Sequence, residues 1–173
     1  MHDAVVLAMH GAPPKDFPAD EMEEYFSLHH RLERAGARAA AAWRDRAREL
    51  ETRMRRWPRT AVNDPFWAAS ADLARHLADT TGAAVFVGFN EFCGPSVEEA
   101  IDEAAAGRPA QVVVVTPMLT RGGEHAEADI PAAIERARAR HPAVSIVYAW
   151  PFDPAAVARF LAARITQVGF VAP

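Results

Sequence analysis

Cysteine is almost missing from this chain of 173 residues: Cys93 stands alone. One thiol cannot form an intrachain disulfide, and it excludes any Cys-x-x-Cys metal cluster. Long apolar runs are missing too. None approaches the ~20 residues that a membrane-spanning helix needs. The N-terminus, with His2-Asp3 followed by about six apolar residues, matches no secretory signal. A cytoplasmic protein is therefore expected. Neither sign of charge dominates: the net charge is −4, which argues against a dedicated nucleic-acid binder. Internal repeats and low-complexity linkers are absent as well. What is present is hydrophobic content of 50%, in a length that suits one globular domain over residues 1–173.

Four short apolar runs punctuate the chain, at 4–9, 83–89, 111–115 and 144–150. Their continuity predicts strands covered on both faces. Between them lie helical patterns. Met22, Tyr25, Phe26, His29 and Leu32 share a face. Ala40, Trp43, Ala47, Leu50, Met54 and Trp57 form a narrow stripe that stops before Pro58. If Gly36 opens that second helix, it has about 22 residues and is ~33 Å long. Trp67, Ala71, Ala74 and Leu77 mark a third helix. Ser96 with Glu99 reads as a capping box. Asp129 with Pro131 reads as the start of a helix running to about Arg140, and 155–165 forms the last helix.

Alternating strands and helices predict an α/β domain: a four-stranded parallel sheet flanked by helices, with right-handed crossovers. One stretch is oversized. His10 and Glu91 are 81 positions apart, whereas a βαβ unit takes ~30 residues or slightly more. Residues from about 15 to 60 therefore read as a mostly helical insertion after the first strand. That segment is basic: between Arg31 and Arg59 there are ten arginines against four acids. A solvated helix face explains this, and a docking surface for an anionic partner is the functional alternative.

Three polar residues follow strand ends: His10, Glu91 and, in a loop loosened by Gly122-Gly123, His125. In a parallel sheet all such ends lie on one edge, where ligands bind in open α/β folds. Two imidazoles and a carboxylate suit a borderline divalent metal, and three protein ligands leave open coordination positions. The same groups can move protons near neutral pH.

The wording around these residues is informative. Met9-His10-Gly11, the segment from Phe89 through Glu91-Phe92-Cys93-Gly94-Pro95-Ser96 to Ala100, and Pro117 through Gly122-Gly123-Glu124-His125 to Asp129-Ile130-Pro131 resemble the CbiX/SirB family of small class II chelatases. The resemblance covers residues 3–11 and 83–165. It implies a lyase-type enzyme that inserts Co²⁺ or Fe²⁺ into sirohydrochlorin without an organic cofactor, the metal being a substrate. His10, Glu91 and His125 match the family's metal-handling residues. On this reading His10 and His125 present the metal, while Glu91 shares its coordination or takes a pyrrole proton. Arg121, on the His125 loop, pairs with a carboxylate of the anionic tetrapyrrole. A homodimer is expected, because each short chain supplies half of a two-lobed cleft.

Three departures are visible. Ala12 replaces a frequent serine, Asn90 replaces an apolar residue, and the insertion is extra. The stretch Gly11-Ala12-Pro13-Pro14 also resembles the opening of protoporphyrin ferrochelatases. Iron insertion into protoporphyrin, Ni²⁺ as the metal, and a non-catalytic metal- or tetrapyrrole-binding protein are the alternative readings. Other polar residues have structural explanations: Glu99 in its capping box, His76 solvated, His141 at a helix end, and His29 and Cys93 packed.

Overall fold

The computed structural model describes residues 3–38 and 40–169. His2, used in the N-terminal expectation, and Ala39, inside the second inserted helix as expected, lie outside the described residues. Four strands, β1 (Ala4–Met9), β2 (Ala84–Phe89), β3 (Gln111–Val115) and β4 (Ser145–Tyr148), form one parallel sheet in the order β2-β1-β3-β4. The expected α/β class and strand count are both present. β1 is central, so the chain first builds outward to β2 and then crosses back to β3. Strand order thus reverses beside β1, where open α/β sheets form a crevice at their carboxyl edge.

Side chains alternate across a strand, and both faces of β1 are covered. Ala4, Val6 and Ala8 pack with α4 (Val97–Ala106) and α5 (Ile130–Arg140), through Ala100, Ile101, Ile130 and Ile134. Leu7 and Met9 face the other way, toward Trp67, Ala74 and Leu77 of α3 (Pro65–Thr81). Helix α4 lies very close to β2: a Cβ on Gly88 would come within 2.6 Å of Val97 Cα. The capping box predicted at its start is complete. Ser96 Oγ accepts from the Glu99 N–H and Glu99 Oε2 accepts from the Ser96 N–H. Helix α6 (Pro154–Gln167) ends the described chain, and none of its described residues is buried. Among the described residues no helix is long and apolar enough to cross a membrane.

The insertion is a helical hairpin of α1 (Ala19–Ala35) and α2 (Ala41–Arg55). Tyr25 and Leu28 of α1 pack on Ala47, Leu50 and Met54 of α2, together with Phe17 and Phe92. Arg46 pairs with Glu24, and Arg53 pairs with Glu21 nearer the other end, so the helices run antiparallel. Two expectations need correction here. Gly36 does not open the second helix. It caps the first, at φ 50°, with its N–H bonded to Leu32 O, so α2 is 15 residues long and ~22 Å rather than ~33 Å. His29 is not packed. The buried face of α1 is centred on Tyr25 and Leu28, which leaves Phe26 exposed and His29 half-exposed beside Glu33. Val144, Ala149 and Trp150, expected within the fourth strand, lie outside β4.

Candidate metal centre

His10, Glu91 and His125 converge at the carboxyl edge of the sheet. Each offers one ligand atom, and the three atoms lie within 4.8 Å of one another. The two imidazole rings meet edge to face with centroids 4.7 Å apart, and His125 Nε2 is 3.7 Å from Glu91 Oε1.

The local backbone explains how. Two backbone bonds join the chain just past both strands: the Asn90 N–H bonds to Met9 O and the Glu91 N–H to His10 O, each at 2.9 Å. This fixes Glu91 beside His10. Gly11 allows the approach, because a Cβ there would sit 1.9 Å from Glu91 O, and its φ of +103° favours glycine. Asn90, one of the departures, closes the end of β1, its side-chain amide also donating to Met9 O at 2.9 Å. Phe92 then turns the chain in a left-handed conformation, φ 57°. Its ring is buried against Tyr25 and Phe26 of the hairpin.

Each imidazole has an acceptor behind it. His10 Nδ1 lies 2.9 Å from Gly11 O, and a carbonyl can only accept, so Nδ1 carries the proton. His125 Nδ1 lies 2.6 Å from Asp129 Oδ2, and a carboxylate sets the same tautomer. In the neutral form of each ring this tautomer leaves the lone pair on Nε2, the atom a metal-binding histidine would then use. Asp129 departs from its sequence expectation. It makes no side-chain cap, because helical structure begins earlier, as a π-helical turn over His125–Asp129 that runs into α5. Such turns often occur at functional sites. Tyr148 of β4 holds this turn by donating to Ala126 O at 3.0 Å, and burial raises its phenol to about 12. The spacing of four between His125 and Asp129 is the signal that pairs them on one helical face.

Other expected residues fall as follows. Arg121 is exposed on the His125 loop, its Nε donating to Glu127 Oε1 at 3.2 Å. Glu127 is held below the usual carboxylate range by the Gly122 N–H and then by Arg121. Cys93 is fully buried with Leu7, Met9 and Phe89, and burial raises its thiol, which disfavours the thiolate a metal would need. Tyr25 is pushed to about 12 by burial, then by the charges of Glu51 and Glu91. His76 is exposed beside Asp72, and His141 pairs with Asp102 at 2.8 Å. The basic segment differs from a purely solvated face. Arg55 and Arg59 point inward, onto the loop that carries Glu91.

Fold and site together define an open parallel α/β protein with a nitrogen–oxygen cluster of three candidate metal ligands at the carboxyl edge of its sheet. The family model for CbiX matches residues 64–168, more than half of the sequence, and the chain belongs to the CbiX family. That match begins after His10, which joins the cluster through the β1–β2 register. A sirohydrochlorin cobaltochelatase from Priestia megaterium is 41% identical over 63 residues, 36% of this chain. The matched stretch spans 20% of that relative's length. Among solved structures, a protein described as CbiX of cobalamin biosynthesis from Marinobacter aquaeolei VT8 has a TM-score of 0.50 at 19% identity, covering 96% of this chain and 97% of its own, and shares the fold. The sirohydrochlorin chelatase SirB from Bacillus subtilis subspecies spizizenii, in complex with cobalt, has a TM-score of 0.47 at 19% identity, covering 97% of this chain and 51% of its own.

Proposed function

We propose that this protein is a lyase-type chelatase that inserts Co²⁺ or Fe²⁺ into sirohydrochlorin or a closely related carboxylate-rich tetrapyrrole. The observation that carries this is the approach of His10, Glu91 and His125 ligand atoms to within 4.8 Å, with both imidazoles oriented from behind. Membership of the CbiX family and the cobaltochelatase relative supply the substrate class.

The reaction exchanges one M²⁺ for two pyrrole N–H protons. His10 and His125 hold the incoming ion through neutral Nε2. Glu91 shares that coordination or accepts a pyrrole proton. Three protein ligands leave positions that ring nitrogens fill as protein bonds break, so binding must be weak enough to release the ion. Arg121 draws a substrate carboxylate toward the loop and exchanges its Glu127 partner for it. The metal is a substrate, and no organic cofactor takes part in the scheme. The cytoplasm suits a chain whose one thiol is free and buried. The working form is a homodimer.

Calorimetric titration with Co²⁺ tests the metal site: His10→Ala combined with His125→Ala abolishes binding, and unchanged binding in the double variant refutes the assignment. In a chelatase assay that follows the macrocycle's absorbance, Arg121→Glu raises KM for sirohydrochlorin far more than it weakens Co²⁺ binding.

A further inference from the structure

We infer that Arg55 and Arg59, from the end of the helical hairpin, are positioning residues for the metal centre: they hold the Glu91 loop and set its spacing from His10. The inference rests on the metal-binding reading above.

Arg59 uses four of its five N–H donors. Nη1 donates to Ala12 O at 2.8 Å and to Asp64 Oδ2 at 2.5 Å. Nη2 donates to Met54 O at 2.9 Å and to Phe92 O. Ala12 is two residues past His10, and Phe92 is one past Glu91. A single guanidinium therefore ties together the loops that carry His10 and Glu91 and the end of α2. Arg55 acts on the Glu91 loop alone. Nη2 donates to Asn90 O at 2.6 Å and Nη1 to Cys93 O at 2.9 Å, so its contacts bracket Glu91. Glu51 orients it through Nε at 2.9 Å.

Burial separates this role from two simpler ones. The Arg59 and Asp64 side chains are 6% and 1% exposed. A buried ion pair is a weak source of stability, and apolar residues of similar volume often do as well. What apolar residues cannot do is bond the carbonyls of three separate segments at once, which the planar guanidinium fork does. Nor can Arg59 serve as a free cation for an anionic substrate, since meeting one would mean releasing the loop. Phe92 adds an apolar anchor from the same loop to the same hairpin. The insertion thus acts as a buttress for the site.

A double-mutant cycle on Co²⁺ affinity tests this, with urea unfolding confirming that each variant is folded. Arg59→Lys weakens Co²⁺ binding about tenfold when Glu91 is present, a loss typical of groups that orient metal ligands. In the Glu91→Gln background the same change costs no more than about twofold, because the carboxylate it positions is gone. Equal losses in both backgrounds, or no loss with Glu91 present, overturn the inference while leaving the metal site standing. If Glu91→Gln alone leaves Co²⁺ affinity unchanged, Glu91's place in the metal site fails and the inference fails with it. If Arg59→Lys does not fold, Arg55→Lys goes through the same cycle, with the same losses expected and the same results overturning the inference.

Discussion

Asp129 shows how one side chain can follow either of two chemistries. In the sequence it precedes Ile130-Pro131 and carries the signature of a helix cap. In the fold its carboxylate bonds His125 Nδ1 instead, since the π-helical turn starts before it and the backbone N–H it would have capped is already within helical structure. Its side chain is 49% exposed, so its effect on stability is small while its contact with the His125 ring is direct. Asp129→Ala is expected to weaken Co²⁺ binding by about 10–100-fold, with unfolding free energy changed by no more than ~0.5 kcal/mol. Asp129→Asn keeps an acceptor for Nδ1, and its affinity falls between those of Asp129→Ala and the native protein. Calorimetry and urea unfolding on the same samples check both numbers, and unchanged affinity in Asp129→Ala removes its orienting role. The convergence of His10, Glu91 and His125 was legible, because a polar residue after an apolar run is a local pattern. The orienting partners were not legible: Asp129 lies four positions from His125 but carries the sequence pattern of a helix cap. Arg55 and Arg59 reach carbonyls 33 to 47 positions distant, and no local pattern marks a cation for that task.

At the level of elements, the strands were readable and the helix ends less so. Continuous apolar runs gave β1 and β3 to the residue, since burial on both faces leaves no room for polar interruption. Gly36 was ambiguous for a physical reason: glycine can precede a helix or end one, and the frame of α1 decides between them. The capping box at α4 was unambiguous because two side chains must agree. That helix is tied to α5 by charge. Glu98 Oε2 accepts from Arg136 Nε at 2.5 Å, and Oε1 lies 2.6 Å from Arg140 Nη1. Burial pushes the Glu98 carboxyl up, but the two arginines outweigh it and hold it below the usual range. The folded state therefore takes up this proton less readily than the unfolded chain. The tie is fully present above the unfolded carboxyl value of ~4.3 and is lost as pH falls through the lower folded value. Glu98→Gln should lower stability at pH 7 and flatten its decline below that point, as urea midpoints measured across acidic pH will show. An equally steep acid limb in the variant would place the titrating group elsewhere.

The whole molecule is unevenly finished. One face of the sheet is sealed by α4 and α5, and the hairpin has an apolar cluster of its own, but α6 covers nothing fully. Phe160, Leu161, Ile165 and Val168 on or next to α6 are 64%, 49%, 47% and 70% exposed, and Val147 on the edge strand β4 is 40% exposed. Leu119, Phe152, Ala156, Val157 and Phe160 line an apolar hollow of about 270 Å³. Exposed apolar side chains gathered along one helix beside an apolar hollow fit an interaction face. The homodimer fits it economically, because a two-fold pair presents the same patch from both sides. The alternative pairing surface, the hairpin, has its stripe already buried internally and its outer face charged. Light scattering should accordingly give about twice the 18.9 kDa chain mass. Phe160→Glu combined with Ile165→Glu should return a monomer with unchanged helix content, since neither residue is in the core. A paired mass that survives both substitutions would move the contact away from α6. A native protein that remains monomeric at tens of micromolar would exclude the dimer and leave the metal centre to work within one chain.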